Sequence, residues 1–257
     1  MAGRVALSTF AALVGAFLVL PILAVIPAAF NASSFIRLPP EAWSVRWWSV
    51  FFADPSWRRA LFTSLQVATL ACGLSVILGT AAALGIARLG GRTRQIALAV
   101  FVGPVIVPVI VLAVALYSLA RSAGLVGTVT MLAIAHTMLA LPYVALNVGV
   151  SLAALDPRLA MAATGLGASP ARVFRTITLP LIMPGVIGGA VFAFVTSFDE
   201  VVLSVFLAGP QVKTLPVRIW EEIRVEYTPL VAVAATIMIG LALAAAAASR
   251  LLQRRAA

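Results

Sequence analysis

A chain of 257 residues with 63% apolar and only 10% charged residues, at a mean hydropathy of +1.12, carries more apolar surface than a soluble domain buries. A formal charge of +10 raises the question of nucleic acid, but the arginines lie between apolar runs and do not gather on one soluble face, which argues against it. The single Cys72 has no partner for an internal disulfide and reads as a small apolar residue.

Uncharged runs extend from Val5 to Ile36, Ala60 to Ala87, Gln95 to Ala120, Ser122 to Leu155, Thr176 to Phe198 and Tyr227 to Ser249. Each is long enough to cross roughly 30 Å of hydrocarbon as a helix. Only helices or closed barrels satisfy every backbone polar group in lipid, and continuous runs lack the period-two alternation of barrel strands. The expectation is an all-α polytopic membrane protein, one domain over 1–257, with six transmembrane helices at about 7–30, 61–87, 96–120, 126–150, 181–208 and 229–250.

The first run is far longer than the apolar core of a signal peptide and reads as a retained helix. After it, Asn31 to Arg59 carries Leu38-Pro-Pro40 and the aromatic stretch Trp43-Ser-Val-Arg-Trp-Trp-Ser-Val-Phe-Phe52, suited to lying along a membrane surface, with ligand contact as the alternative. Pro104 and Pro108 in the third run and Pro142 in the fourth each remove a backbone hydrogen bond and favour a bend. His136, the one histidine, reads as a helix-packing residue, with substrate contact or proton relay as the alternative.

Charge fixes an orientation. With Met1 inside, six spans place Arg4, the Arg88/Arg92/Arg94 turn, Arg158/Arg172/Arg175 and the Arg250/Arg254/Arg255 tail in the cytoplasm, ten of the eighteen basic residues, offset only by Asp156. Eight basic residues fall outside, where Glu41, Asp54, Glu221, Glu222 and Glu226 offset five. This positive-inside bias predicts both termini in the cytoplasm. Trp43, Trp47, Trp48, Trp57 and Trp220 all fall in the two outer loops, as an interfacial indole belt requires.

The longest inner connection, 151–178, is too polar and Gly-interrupted to span but keeps helical character. Asp156-Pro157 and Ser169-Pro170 each form an N-cap followed by a first-turn proline, so two short helices are predicted, broken at Gly165 and Gly167. Ala160, Ala162, Ala163 and Gly167 would allow close approach of a partner, while Phe174 and Ile177 pack back under the bundle. An ordinary intracellular hairpin is the competing reading.

This stretch resembles the cytoplasmic loop signature of ABC importer permeases, Glu-Ala-Ala, three residues, Gly, nine residues, Ile-x-Leu-Pro, matched at Ala162, Ala163, Gly167, Ile177, Leu179 and Pro180. Met161 stands where the signature has its acidic residue. Further segments resemble the spermidine/putrescine-type permeases: Leu61-Phe-Thr-Ser-Leu65, Pro104-Val-Ile-Val-Pro108, Ser197-Phe-Asp-Glu200 and Thr214-Leu-Pro-Val-Arg-Ile-Trp220.

The resemblance implies a type I importer permease fold in a bacterial inner membrane. It also implies two cytoplasmic ATPase subunits docked on such loops, a second permease expected to be a different chain, and a periplasmic substrate-binding protein. No P-loop pattern suggests nucleotide binding by this chain, and no catalytic residue, metal site or cofactor is expected. A secondary transporter would show internal repeats and paired ionisable groups, neither of which is evident apart from one acidic pair.

That pair is Asp199 and Glu200, bracketed by spanning-type sequence. Each ionised carboxylate costs roughly 2.5 to 3.5 kcal/mol near a bilayer centre, so the pair should face a wet cavity or a cation. One reading makes it the outer boundary of the fifth span or a partner for an arginine of the other permease. The other, carried by the resemblance, makes Asp199, then Glu200, attract a cationic substrate, with Ser197 as a hydrogen-bonding neighbour.

Overall fold

The computed structural model describes residues 2–256, with the side chains of residues 2, 3, 6 and 254–256 left outside the description. Arg254 and Arg255 of the basic tail therefore lie outside the described side chains. The helices in chain order are α1 (Ala2–Ala28), α2 (Arg46–Ala53), α3 (Pro55–Ala87), α4 (Gly91–Ile106), α5 (Val109–Ser122), α6 (Val129–Ala153), α7 (Pro157–Gly165), α8 (Pro170–Val173), α9 (Leu179–Phe198), α10 (Val202–Leu207), α11 (Leu215–Val225) and α12 (Pro229–Ala256), with a π turn at Phe174–Thr178 joining α8 to α9. Five stretches, within α1, α3, α6, α8–α9 and α12, are long and apolar enough to cross a membrane, and α4 with α5 makes a sixth if that bent pair is one span.

The third run departs from a single bent helix over 96–120. α4 and α5 meet at 94°. Pro108 has no N–H to continue the ladder and drives Val107 into an extended conformation, φ −70° and ψ 133°. By contrast, Pro142 sits inside α6 without interrupting it.

Two compact units result, one of residues 1–59 with 218–241 and one of 60–217 with 242–257. In the first, the buried Asn31 side chain organises the connection after α1, donating to the Arg37 carbonyl at 3.0 Å and accepting from the Ser33 N–H at 3.1 Å. Trp47 donates from Nε1 to the Ser33 carbonyl at 3.0 Å. Phe51 stacks near Trp57 at 5.4 Å between ring centroids, and the Arg218 guanidinium lies 4.8 Å over the same indole while pairing with Glu222 at 3.0 Å. Trp47 and Trp57 are thus core residues of this unit, whereas Trp43 and Trp220 remain exposed. A helix as short as α2 stays ordered only by burying one face, and it buries Trp47 and Phe51.

The second unit is built on the α6–α9 pair. Gly185 and Gly189, one turn apart, let the two backbones meet: a Cβ on Gly189 would lie 2.8 Å from Val144 Cα, and one on Gly185 would lie 2.7 Å from the Asn147 carbonyl oxygen. Gly79 of α3 fits against Val144 in the same way, and Cys72 donates its thiol to the Ala190 carbonyl at 3.3 Å. A second cluster packs Leu203 and Leu207 of α10 against Ala113 and Ala120 of α5 and Leu132 and Ala135 of α6. Gly127, at φ +76°, donates to the Leu207 carbonyl at 2.9 Å and brings its backbone against Gly209.

Candidate transport site: inner hairpin and broken fifth span

The 151–178 connection folds as two short helices at right of their caps. Asp156 accepts from the Arg158 N–H at 2.9 Å to start α7, and Ser169 Oγ accepts from the Arg172 N–H at 3.4 Å to start α8. Between them Gly167 takes φ +84°, the left-handed conformation that closes a helix, with its N–H on the Thr164 carbonyl at 2.9 Å and that of Ala168 on Ala163 at 3.0 Å. No other residue type adopts this φ without cost, so glycine here answers first to backbone geometry.

The hairpin presents apolar side chains outward. Leu166 is 90% exposed and Met161 63%, far beyond what an unpartnered surface turn requires. Ala162 and Gly167 are also exposed, Ala163, Ile177 and Leu179 are half-buried, and Pro180 is exposed at the start of α9. The two ends of the signature therefore do different things: 161–167 forms an outer surface, and 177–179 anchors the hairpin to the bundle.

α8 does not stop at α9. The π turn of Phe174–Thr178 carries the helical path from Pro170 to Phe198. Thr176 Oγ donates to the Arg172 carbonyl at 2.7 Å across this wider turn. At about 1.5 Å per residue, this path connects the 151–178 hairpin to a point about 40 Å away.

At that far end α9 terminates at Phe198, and Asp199, Glu200 and Val201 separate it from α10. Asp199 is exposed, with its N–H on the Val195 carbonyl at 3.0 Å. Glu200 is half-buried, and its Oε1 accepts from the Leu203 N–H at 3.0 Å, so the carboxylate starts α10. Ser197 points elsewhere. It is 4% exposed, and its carbonyl oxygen and Oγ lie 3.0 and 2.9 Å from His136 Nδ1; His136 Nε2 lies 3.0 Å from Ser204 Oγ. The exposed carboxylate and the buried serine therefore do not share one surface.

Sequence reasoning did not find the His136–Ser197–Ser204 link or the Gly185/Gly189 contact. Signals existed for both: two serines seven residues apart share a helix face, and two glycines four apart in an apolar run mark close packing. Neither signal names the partner helix, which here is α6.

A helical bundle of five or six spans with an outward apolar hairpin and a broken fifth span is the all-α, multi-pass fold of type I importer permeases. The fold is similar to a chain of the crystal structure of a bacterial alginate ABC transporter in complex with an alginate pentasaccharide-bound periplasmic protein, with a TM-score of 0.74 over 98% of this chain and 96% of that chain at 15% identity. Residues 75–257 match the family described as binding-protein-dependent transport system inner membrane component, and this chain belongs to that family. It is 33% identical to the putrescine transport system permease protein PotI of Escherichia coli strain K12, over 87% of this chain and 82% of that protein. It is 32% identical to the spermidine/putrescine transport system permease protein PotC of the same strain, over 99% of this chain and 96% of that one. The chain is therefore a multi-pass permease of the bacterial inner membrane.

Proposed function

We propose that this chain is one of two permease subunits in an ATP-driven importer for polyamines or a similar small cationic solute. The observation that carries the substrate class is the near full-length likeness to two permeases named for putrescine and spermidine. The exposed Asp199 fits it, because a carboxylate at the end of a span is placed to attract a cation entering from outside.

In this reading two ATPase subunits on the cytoplasmic side hydrolyse ATP, one seated on the α7–α8 hairpin and the other on its counterpart in the second permease. A periplasmic binding protein delivers the solute. Closure of the ATPases pushes the hairpin, and the helical path from Pro170 to Phe198 carries that displacement to the Asp199 break. The chain itself makes and breaks no covalent bond: it supplies the pathway and the lever. Met161 in place of an acid leaves this docking surface apolar, with Leu159 and Leu166 beside it.

The test is uptake by the assembled importer, with its ATPases, second permease and binding protein, in proteoliposomes. Spermidine should enter only with ATP on the ATPase side and binding protein on the other, and Asp199→Asn should lower the subsaturating rate by roughly tenfold at low ionic strength while basal ATPase activity survives. Uptake of an anion in preference to spermidine, or unchanged spermidine uptake in both Asp199→Asn and Glu200→Gln, would overturn the assignment.

A further inference from the structure

A span that stops inside a bundle leaves carbonyl groups without intrahelical partners, and in a dry interior each costs free energy unless something else donates to it. Ser197 lies in the last turn of α9, and its carbonyl oxygen is one of these groups. It sits 3.0 Å from His136 Nδ1. A carbonyl only accepts, so this contact is a hydrogen bond only with the imidazole proton on Nδ1, and the Ser197 hydroxyl 2.9 Å from the same nitrogen then shares that proton as a second acceptor. The other ring nitrogen is then an acceptor, and the Ser204 hydroxyl 3.0 Å away is the donor it needs. Ser197 precedes the break and Ser204 follows it.

From this geometry we infer that His136 is the positioning residue of the fifth-span break: one imidazole on α6 ties the end of α9 to α10 and so sets where Asp199 and Glu200 stand. His136 is 1% exposed and Ser204 fully buried, so solvent does not substitute for either contact. α10 is too short to hold itself as a helix, and besides this link it has the packing of Leu203 and Leu207, flanked by Val202 and Phe206, the Glu200 contact to the Leu203 N–H and the Gly127 N–H on the Leu207 carbonyl. Removing the imidazole link leaves α9 and α10 free to re-register around the three break residues. His136 does not touch the solute. It acts through the carboxylates, and its specificity role rests on their proposed part in cation transport.

The experiment uses the assembled importer with His136→Asn, which keeps an amide near the Nδ1 position but does not reach Ser204, and Ser204→Ala, which removes one oxygen. Two readouts are taken: the labelling rate of a cysteine at 199 (Asp199→Cys in a Cys72→Ser background) by a membrane-impermeant maleimide, and the ratio of spermidine to putrescine uptake below saturation. Both variants should change the labelling rate by about fivefold, the population change expected for one lost hydrogen bond, and should shift the uptake ratio. A ratio is unaffected by how many complexes assemble, so a purely structural role would not move it. Unchanged labelling and ratio in both variants would overturn the inference, and if His136→Asn does not assemble, Ser204→Ala alone decides. Altered labelling with an unchanged ratio would keep the positioning role and discard the cation-attracting role of the carboxylates.

Discussion

Leu166, at 90% exposure next to the left-handed Gly167, is the most exposed large apolar side chain of the hairpin, and the proposed docking is tested there. The two residues separate surface from backbone. Leu166→Asp should leave membrane insertion and the thermal midpoint of the chain unchanged but lower ATP-driven uptake by at least tenfold, since an exposed apolar contact is replaced by a charge that must be desolvated on docking. Gly167→Ala has open space around its Cβ but a φ of +84°, so it should strain the turn by about 1 kcal/mol and weaken coupling less than Leu166→Asp does. Binding of the purified ATPase to the permease in detergent checks both. Arg218 offers a contrasting residue-scale test in the first unit. It is three-quarters buried, lies over Trp57 and pairs with Glu222, so Arg218→Leu should leave Glu222 poorly matched and destabilise the fold by on the order of 2 kcal/mol, read as a lower thermal midpoint.

At the scale of elements, the α6–α9 contact is a close backbone approach, and its tolerance is set by what stands opposite each glycine. Val144 Cα, 2.8 Å from where a Gly189 Cβ would be, belongs to a helix backbone and does not move aside as a side-chain tip does. Gly189→Ala should therefore destabilise the bundle by about 1–3 kcal/mol, read as a lower midpoint in detergent, while Gly149→Ala on the neighbouring helix meets nothing within 4 Å and should be neutral. The π turn between α8 and α9 is the other element-scale feature. It admits one extra residue into a helix without ending it, which keeps the hairpin and the fifth span on one continuous path.

At the scale of the whole molecule, the charge distribution predicts the orientation. Asp54 and Asp156 bracket a stretch with no acidic residue at all, in which Arg88, Arg92 and Arg94 stand uncompensated. With Cys72→Ser as background, Ala168→Cys should react with an impermeant maleimide only after the membrane is opened, and Trp220→Cys should react in intact spheroplasts. Labelling of position 168 from outside would reverse the topology and remove the ATPase from the hairpin.

Much of this was already in the sequence because it depends on solvent and on neighbours close along the chain. Apolar run length reports the cost of burying backbone in lipid, and Asp156-Pro157 and Ser169-Pro170 report caps that close within three residues, so spans and hairpin were legible without a fold. Pro108 announced a bend, but its size of 94° was not legible, because a proline removes one hydrogen bond while the angle follows from what α4 and α5 pack against. The same limit applies at the fifth span. Asp199 and Glu200 showed that something interrupts the apolar run, yet only the tertiary structure decided that α9 ends there, that Glu200 starts α10, and that Ser197 turns to His136 rather than toward Asp199. The His136 links to Ser197 and Ser204 join residues 61 and 68 positions apart, and a buried polar group takes whichever partner the packed helices bring within reach.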